Sequence, residues 1–167
     1  MTDQTFLNNH FLKTIGAIEC LSSNRFYEAA LMLTYAGIDQ MAWLSVPDPI
    51  SNGIDFRAWA EEYIKPNTTL GCSSDDLWAA RCGLVHTAAA ESRDSANLKA
   101  KKIYYVSGDV VCTENKTSDT VIINSTHLMR EFMSGANRFI SEVKLDAVKN
   151  AIAIQKAGSI LAFKNSL

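Results

Sequence analysis

The feature that most constrains this fold is the segment of residues 27–44, whose apolar residues would cover more than half of the circumference of a helix. Such a helix is shielded from water only where other helices pack on several of its sides. The segment therefore predicts a helical bundle with residues 27–44 as its central helix. One predicted face carries Tyr27, Leu31, Thr34, Ile38 and Met41, and a neighbouring face carries Ala30, Leu33, Gly37 and Leu44.

Apolar residues at spacings of three and four predict amphipathic helices on both sides of this segment. A short helix is predicted over residues 54–64, with Asp55 as its N-cap and Pro66 beyond its end. Ser73 and Ser74, followed by two acidic residues, predict the start of a helix that extends to about residue 92. The spaced residues are Leu7, Phe11, Ile15 and Ile18 near the start, and Leu128, Phe132, Ala136, Phe139 and Val143 near the end.

Residues 101–124 break the helical pattern, because they are rich in Ile, Val and Tyr and are interrupted by SGD and NKTSD. Gly108-Asp109 between two apolar runs predicts a tight hairpin turn. We therefore expect a β-hairpin or a three-stranded insertion at about residues 101–124, followed by C-terminal helices over about residues 125–163. The fold class is mainly α, and 167 residues suffice for a single domain, residues 1–167, with its own core.

Composition narrows the classes of function. The formal net charge of -2 argues against a broad basic face for duplex DNA, but leaves room for a local site for a single strand. The four cysteines form no CxxC pair, so no metal site and no cofactor are expected. The first residues lack the pattern of a signal peptide, and no apolar run approaches the roughly 20 residues that cross a bilayer. The sequence thus predicts a cytoplasmic protein with reduced thiols and no membrane contact.

Arg81 is the charged residue that fits its predicted helix least well. It falls on the same stripe as Leu77 and Leu84, which should face the core. A buried arginine keeps its charge and needs a carboxylate or an anion opposite it. Asp39, which lies among apolar residues of the central helix, is the natural partner. The pair could be a structural ion pair in a helical scaffold, or it could belong to a functional site.

A resemblance favours the functional interpretation. Residues 81–86, RCGLVH, fit the R-x4-6-H motif of HEPN domains, small helical bundles of four to five helices found in many prokaryotic ribonucleases. The order of helices also resembles that family, except that residues 101–124 and the last helix have no counterpart in the minimal bundle. One position departs from the pattern, since Cys82 stands where active members usually carry Asn, Asp or His after the arginine. A HEPN-like module that binds RNA, nucleotide or a protein partner without cutting is therefore the alternative.

The resemblance implies a metal-independent endoribonuclease that acts as a homodimer, in a toxin or defence system with a cognate antitoxin or regulator. Arg81 would bind the phosphate of an RNA substrate, and His86 would transfer protons. Asp39 would orient Arg81, Tyr35 would line the same cleft one helical turn away, and Cys82 would support the site as a weak donor. Positions five apart on one helix point about 140° away from each other. The length of the arginine side chain, a distortion of the helix near Gly83 or a second copy of the chain could bring Arg81 and His86 together, and the resemblance implies the last of these.

Lys99, Lys101 and Lys102 form a compact basic cluster after this helix. They could contact an RNA backbone. Lysines beside a strand edge are also an ordinary protection against edge-to-edge aggregation. Both interpretations remain open on the sequence, with Lys101 and Lys102 as the candidate RNA contacts.

Overall fold

The computed structural model describes residues 3–87, 99–108, 119–157 and 159–160. These residues form a mainly helical fold with a small sheet. The helices are α1 (Asp3–Ser23), α2 (Tyr27–Ser45), α3 (Gly53–Tyr63), α4 (Pro66–Thr69), α5 (Ser74–Thr87), α6 (Ser125–Leu145) and α7 (Ala147–Ala157), and the strands are β1 (Lys102–Val106) and β2 (Thr120–Asn124).

The α2 helix lies at the centre of the bundle, as its apolar circumference predicts. It packs against α1, α3, α5, α6 and α7. Both predicted faces contribute to the core, since Leu31, Ile38 and Leu44 are all buried. Gly37 allows α6 to approach closely, because a Cβ there would lie 2.4 Å from the ring of Phe132.

The predicted amphipathic helices at both ends are confirmed. Leu7, Phe11 and Ile18 of α1 are buried, and so are the spaced apolar residues of α6. The C-terminal helical region is divided at Asp146, whose Oδ1 accepts hydrogen bonds from the N–H groups of Val148 (2.8 Å) and Lys149 (3.1 Å). These two bonds begin α7, which extends to Ala157. The predicted limit of the helical region near residue 163 lies outside the described residues.

The two described strands, β1 and β2, pair in parallel and therefore do not form a hairpin with each other. The apolar run that would follow the predicted turn at Gly108-Asp109 lies outside the described residues. Lys102 pairs with Thr120 and Val106 pairs with Asn124, and the sheet has two strands among the described residues. A tight turn can only reverse the chain, whereas a parallel pair needs a crossover of about a dozen residues, here residues 107–119. Gly108 does adopt a left-handed conformation, with φ at 83°, and its carbonyl accepts a hydrogen bond from Asn124 Nδ2 at 2.8 Å. Asp109, the other half of the predicted turn, lies outside the described residues.

Side-chain hydrogen bonds cap the N-terminal ends of two helices, α3 and α5. At α3 the N-cap is Asn52 and not Asp55, because the Asn52 side chain accepts from Ile54 N while Asp55 Oδ2 accepts from Asn52 N at 2.8 Å. At α5 the predicted start is confirmed. Ser73 Oγ accepts from Asp76 N at 3.1 Å, and Asp76 Oδ2 accepts from Ser73 N at 2.8 Å. These reciprocal bonds fix the first turn of the helix that carries Arg81.

Candidate functional site

The predicted ion pair between α5 and α2 is present. Arg81 Nε donates a hydrogen bond to Asp39 Oδ2 at 2.8 Å. The Arg81 side chain retains 20% of its exposed area and that of Asp39 retains 29%. The pair is therefore not sealed in the core.

Trp78 packs against the Arg81 guanidinium. The Arg81 Cζ lies 5.2 Å from the centroid of the indole, within the range of a cation–π contact. The indole is itself held by Phe56, at 5.3 Å between ring centroids, and by Gly53. A Cβ at position 53 would lie 2.8 Å from the indole, so only glycine fits this packing. Asp39 and Trp78 together restrict the conformations of the Arg81 side chain.

His86, the second residue of the motif, belongs to the last turn of α5, and its side chain lies outside what the structure describes. Helix geometry separates positions five apart by about 140° around the axis. Positions 81 and 86 of one chain therefore lie on different sides of α5. A compact site that uses both residues needs a second element or a second chain.

Tyr35 is a core residue, which contradicts the expectation that it lines a cleft. It is 0% exposed, and its hydroxyl is hydrogen-bonded to the hydroxyl of Tyr105 on β1. Burial is the main cause that raises the pKa of both phenols above the usual value. Both groups therefore stay protonated near neutral pH and join α2 to the strand.

The other predicted residues are Cys82, which lies within α5, and two lysines near its N-terminal end. Cys82 follows Arg81 and carries a free, half-buried thiol. Lys101 precedes β1, and its N–H donates to Asp76 Oδ1 at 2.6 Å, which ties the chain there to the first turn of α5. Lys102 is the first residue of β1, and both lysine side chains are half-buried. The lysines thus lie at the start of α5, before the motif begins.

A second charged cluster joins α3, α6 and α7, and consists of Tyr63, Glu142 and Lys149. The Tyr63 hydroxyl donates to Glu142 Oε2 at 2.6 Å, and Lys149 Nζ donates to the same carboxylate at 2.5 Å and to the phenol oxygen at 3.0 Å. Burial, with help from the bond to Glu142, raises the pKa of Tyr63 to about 12. The bond from Lys149 lowers the pKa of Glu142 and raises the pKa of Lys149 itself. No local pattern predicts this Tyr63 cluster, because Tyr63 precedes Glu142 by 79 positions.

Lys156 of α7 is a buried cation with a structural role. It is 6% exposed, and its Nζ donates to the backbone oxygens of Trp43 and Val46, at 2.5 Å each. These carbonyls lie at the C-terminal end of α2, where a cation is favoured by the helix dipole. Burial lowers the pKa of Lys156. The residue thus joins the last helix to the central one.

The described residues define a mainly helical domain with a two-stranded parallel sheet. No protein-family model, no curated protein and no solved structure matches the chain. Among the helices that the structure describes, none is long and apolar enough to cross a membrane. The same residues hold no group of three or more side chains that could bind a metal ion.

Proposed function

We propose that this chain is a metal-independent endoribonuclease of the HEPN type, acting as a homodimer with Arg81 and His86 as its catalytic residues. One observation carries the proposal: Asp39 and Trp78 both contact the Arg81 side chain, which is 20% exposed, on the helix that bears the motif. An arginine restrained in this way presents its planar fork to an anion at a small cost in side-chain entropy. RNA phosphate is the anion that the HEPN resemblance suggests.

The chemistry requires little beyond these two residues, because RNA carries its own nucleophile. The 2′-oxygen attacks the neighbouring phosphorus, a bond from phosphorus to the 2′-oxygen forms, and the bond to the 5′-oxygen breaks. A base takes the proton of the 2′-hydroxyl, and an acid protonates the leaving 5′-oxygen. The imidazole of His86, with an unperturbed pKa of about 6.5, can take part in both transfers near neutral pH. The products are a 2′,3′-cyclic phosphate and a 5′-hydroxyl.

Arg81 acts on the phosphate during this step. The phosphate oxygens gain negative charge as the 2′-oxygen attacks, and a fixed cation stabilises that charge without reorganising. Asp39 is a positioning residue, since its carboxylate holds Arg81 through Nε. An enzyme of this kind would need restraint in its own cell, which fits a toxin or defence role with an antitoxin or regulator as partner.

The placement of positions 81 and 86 on different sides of α5 supports the proposed dimer. Around a two-fold axis, the same surface of both chains meets itself, so Arg81 of one chain can lie beside His86 of the other. Each composite site then contains Arg81 from α5 of one chain and His86 from α5 of the other.

The first test is cleavage of a mixed-sequence RNA in EDTA by the wild type and by Arg81→Ala and His86→Ala. We expect the wild type alone to cut and to leave cyclic-phosphate ends, with each variant slower by about 100-fold or more. Arg57→Ala and His127→Ala are the matched controls. Arg57 forms another ion pair between helices, with Asp75 at 3.3 Å, and His127 forms a pair with Glu131 on α6. Both controls should cut at the wild-type rate.

Mixing the two inactive variants tests the shared site. A mixed dimer holds one intact pair, with Arg81 from one chain and His86 from the other. In an equal mixture about half of the dimers are mixed and one of their two sites is intact, so about a quarter of the wild-type activity should return. Equal cutting by wild type and His86→Ala would identify a contaminating nuclease. RNA binding without cutting by the wild type would instead support the non-catalytic module, with Cys82 as the departure that accounts for it.

A further inference from the structure

A pocket of about 290 Å³ lies between the N-terminal half of α2, the middle of α5 and β1. Its apolar wall includes Leu31 from α2, Ala80 and Leu84 from α5, and Ile103 from β1. The volume lies near the lower limit of roughly 300 Å³ for small-molecule sites, which suits a single heterocyclic ring system better than a large cofactor. The pocket is also beside the motif, since Ala80 and Leu84 flank Arg81 within one turn of α5 on either side.

A buried hydroxyl in the pocket wall has no hydrogen-bond partner within the part of the chain that the structure describes. Ser125, the first residue of α6, is 1% exposed and borders the pocket. Its Oγ makes no hydrogen bond with any group of the described residues. A buried hydroxyl without a partner is destabilising, so a ligand with a polar edge that reaches Ser125 would satisfy it.

The rim of the pocket offers aromatic and acidic groups. Tyr104 is 49% exposed and Tyr27 is half-buried, so both phenol rings can contact a flat ligand. Glu28 is exposed on the same rim, and a carboxylate accepts hydrogen bonds while it repels anions. The ligand should therefore place N–H donors, and not its phosphate, at this end.

The backbone of β1 adds further polar groups. Five consecutive residues, Ile103 to Ser107, border the pocket. Successive side chains of a strand point to opposite faces, so a cavity that touches every residue in the run must meet the strand along its backbone. Backbone N–H and C=O groups are the kind of donors and acceptors that read the edge of a base.

We propose that this pocket binds the nucleobase of an RNA residue next to the cleaved phosphate, with Ser125 contacting its polar edge and Glu28 accepting from its amino group. The inference rests on the proposed ribonuclease function for its RNA source, since a free nucleotide would offer the same base. Guanine, adenine and cytosine carry an exocyclic amino group, and uracil lacks one. The first three bases should therefore be preferred.

Binding of the four nucleoside 5′-monophosphates and of inorganic phosphate to the whole chain, measured by calorimetry, tests the pocket without any cleavage. GMP, AMP or CMP should bind about tenfold or more tightly than UMP, as a lost pair of base contacts predicts. Ser125→Ala should weaken the preferred nucleotide several-fold, and Glu28→Gln should remove the preference over UMP. The matched controls are Ser134→Ala, exposed on the same helix, and Glu61→Gln, exposed on α3, which should bind like the wild type.

The proposal would be overturned if the nucleotides bound no more tightly than inorganic phosphate. It would also be overturned if Ser125→Ala and Glu28→Gln bound the nucleotides as the wild type does. The source of the base is tested separately by mapping the cut sites in RNA. Cuts next to one amino-bearing base in the wild type, and not in Glu28→Gln, would support an RNA ligand. If the chain binds nucleotides but cuts no RNA, the base pocket is supported with a free nucleotide as its ligand, and the ribonuclease is rejected. Cutting of RNA by a chain that binds no nucleotide would support the ribonuclease and reject the base pocket.

Discussion

The Arg81–Asp39 pair and the Tyr63 cluster both connect helices through charges, but their chemistry differs. In the Tyr63 cluster, the carboxylate, the ammonium group and the phenol are bonded to one another. The resulting shifts in pKa favour the charge states that these bonds already use. The cluster is therefore suited to holding α3, α6 and α7 together, and not to proton transfer near neutral pH.

The Arg81–Asp39 pair lies beside the ring of Trp78, on the helix that carries the R-x4-6-H pattern. Asp39 and Trp78 restrain a cation whose charge is permanent, on a helix that also carries His86. Fixed orientation is what an anion-binding site needs, because a restrained donor does not have to be ordered when the ligand binds. Under the proposed function, the Tyr63 cluster therefore has the structural role and the Arg81–Asp39 pair belongs to the anion-binding site.

Replacing each region in turn should separate catalysis from stability, with the largest effect at Arg81. Arg81→Lys keeps the charge but loses the planar fork, so we expect RNA cleavage to fall by about 100-fold. Tyr63→Phe should leave the cleavage rate unchanged and lower the stability by about 1 kcal/mol, because a hydrogen bond to a partly exposed carboxylate is lost. Initial rates in EDTA and thermal melts of both variants measure this. Slower cleavage by well-folded Tyr63→Phe would reverse the two assignments.

A glycine beside the Tyr63 cluster gives the next largest effect. A Cβ on Gly135 of α6 would lie 2.6 Å from the carbonyl oxygen of Tyr63, so Gly135→Ala should lower the free energy of unfolding by about 1–3 kcal/mol through overpacking. Gly16→Ala on α1 is the control. Nothing lies within 4 Å of its Cβ, and alanine should stabilise that helix by up to about 1 kcal/mol. Urea unfolding of both variants measures the difference, and equal effects would mean that the contact between α3 and α6 is looser than the structure indicates.

The sequence allowed the Arg81–Asp39 pair to be predicted because each residue interrupts an apolar helical face. Two misplaced charges of opposite sign have few ways to be satisfied. The burial of Tyr35 could have been predicted as well. It shares a stripe of α2 with Leu31 and Ile38, both of which are buried, so its phenol had to find a partner inside the core.

The direction of the strands could not be predicted in this way. The turn signal at Gly108 is real, since its φ is positive, but a local turn does not determine how two strands pair. Their direction depends on the core, where Ile103 of β1 and Val121 and Ile123 of β2 are buried. Because α6 begins directly after β2, the packing of α6 on α2 also limits how β2 can lie. Contacts between distant segments therefore decide this part of the fold.

Asp39 should contribute less to stability than the packing at Gly135. Its pair with Arg81 is partly exposed, so Asp39→Asn should cost about 1–2 kcal/mol, between the values for surface and buried ion pairs. The comparison variant is Asp75→Asn. Its pair with Arg57 is longer, at 3.3 Å, and the Asp75 side chain is 64% exposed, so the cost there should be below about 0.5 kcal/mol. Chemical unfolding at neutral pH measures both, and equal costs would argue that the Arg81–Asp39 contact is as weak as an ordinary surface pair.

The smallest effect on stability is expected at Glu142, and this effect should depend on pH. Its pKa is lowered in the folded state, mainly by the hydrogen bond from Lys149, so the carboxylate contributes stability above its unfolded pKa, near 4.5. That contribution is lost as the pH falls through the lower, folded pKa. Glu142→Gln should therefore be less stable than the wild type at neutral pH, by less than about 1 kcal/mol because the group is exposed, and the difference should vanish in acid. Melting curves from pH 7 to pH 3 test this, with Glu61→Gln as the control. A difference that persisted in acid would show that Glu142 acts through packing and not through its charge, which would weaken the contrast between the Tyr63 cluster and the Arg81 pair.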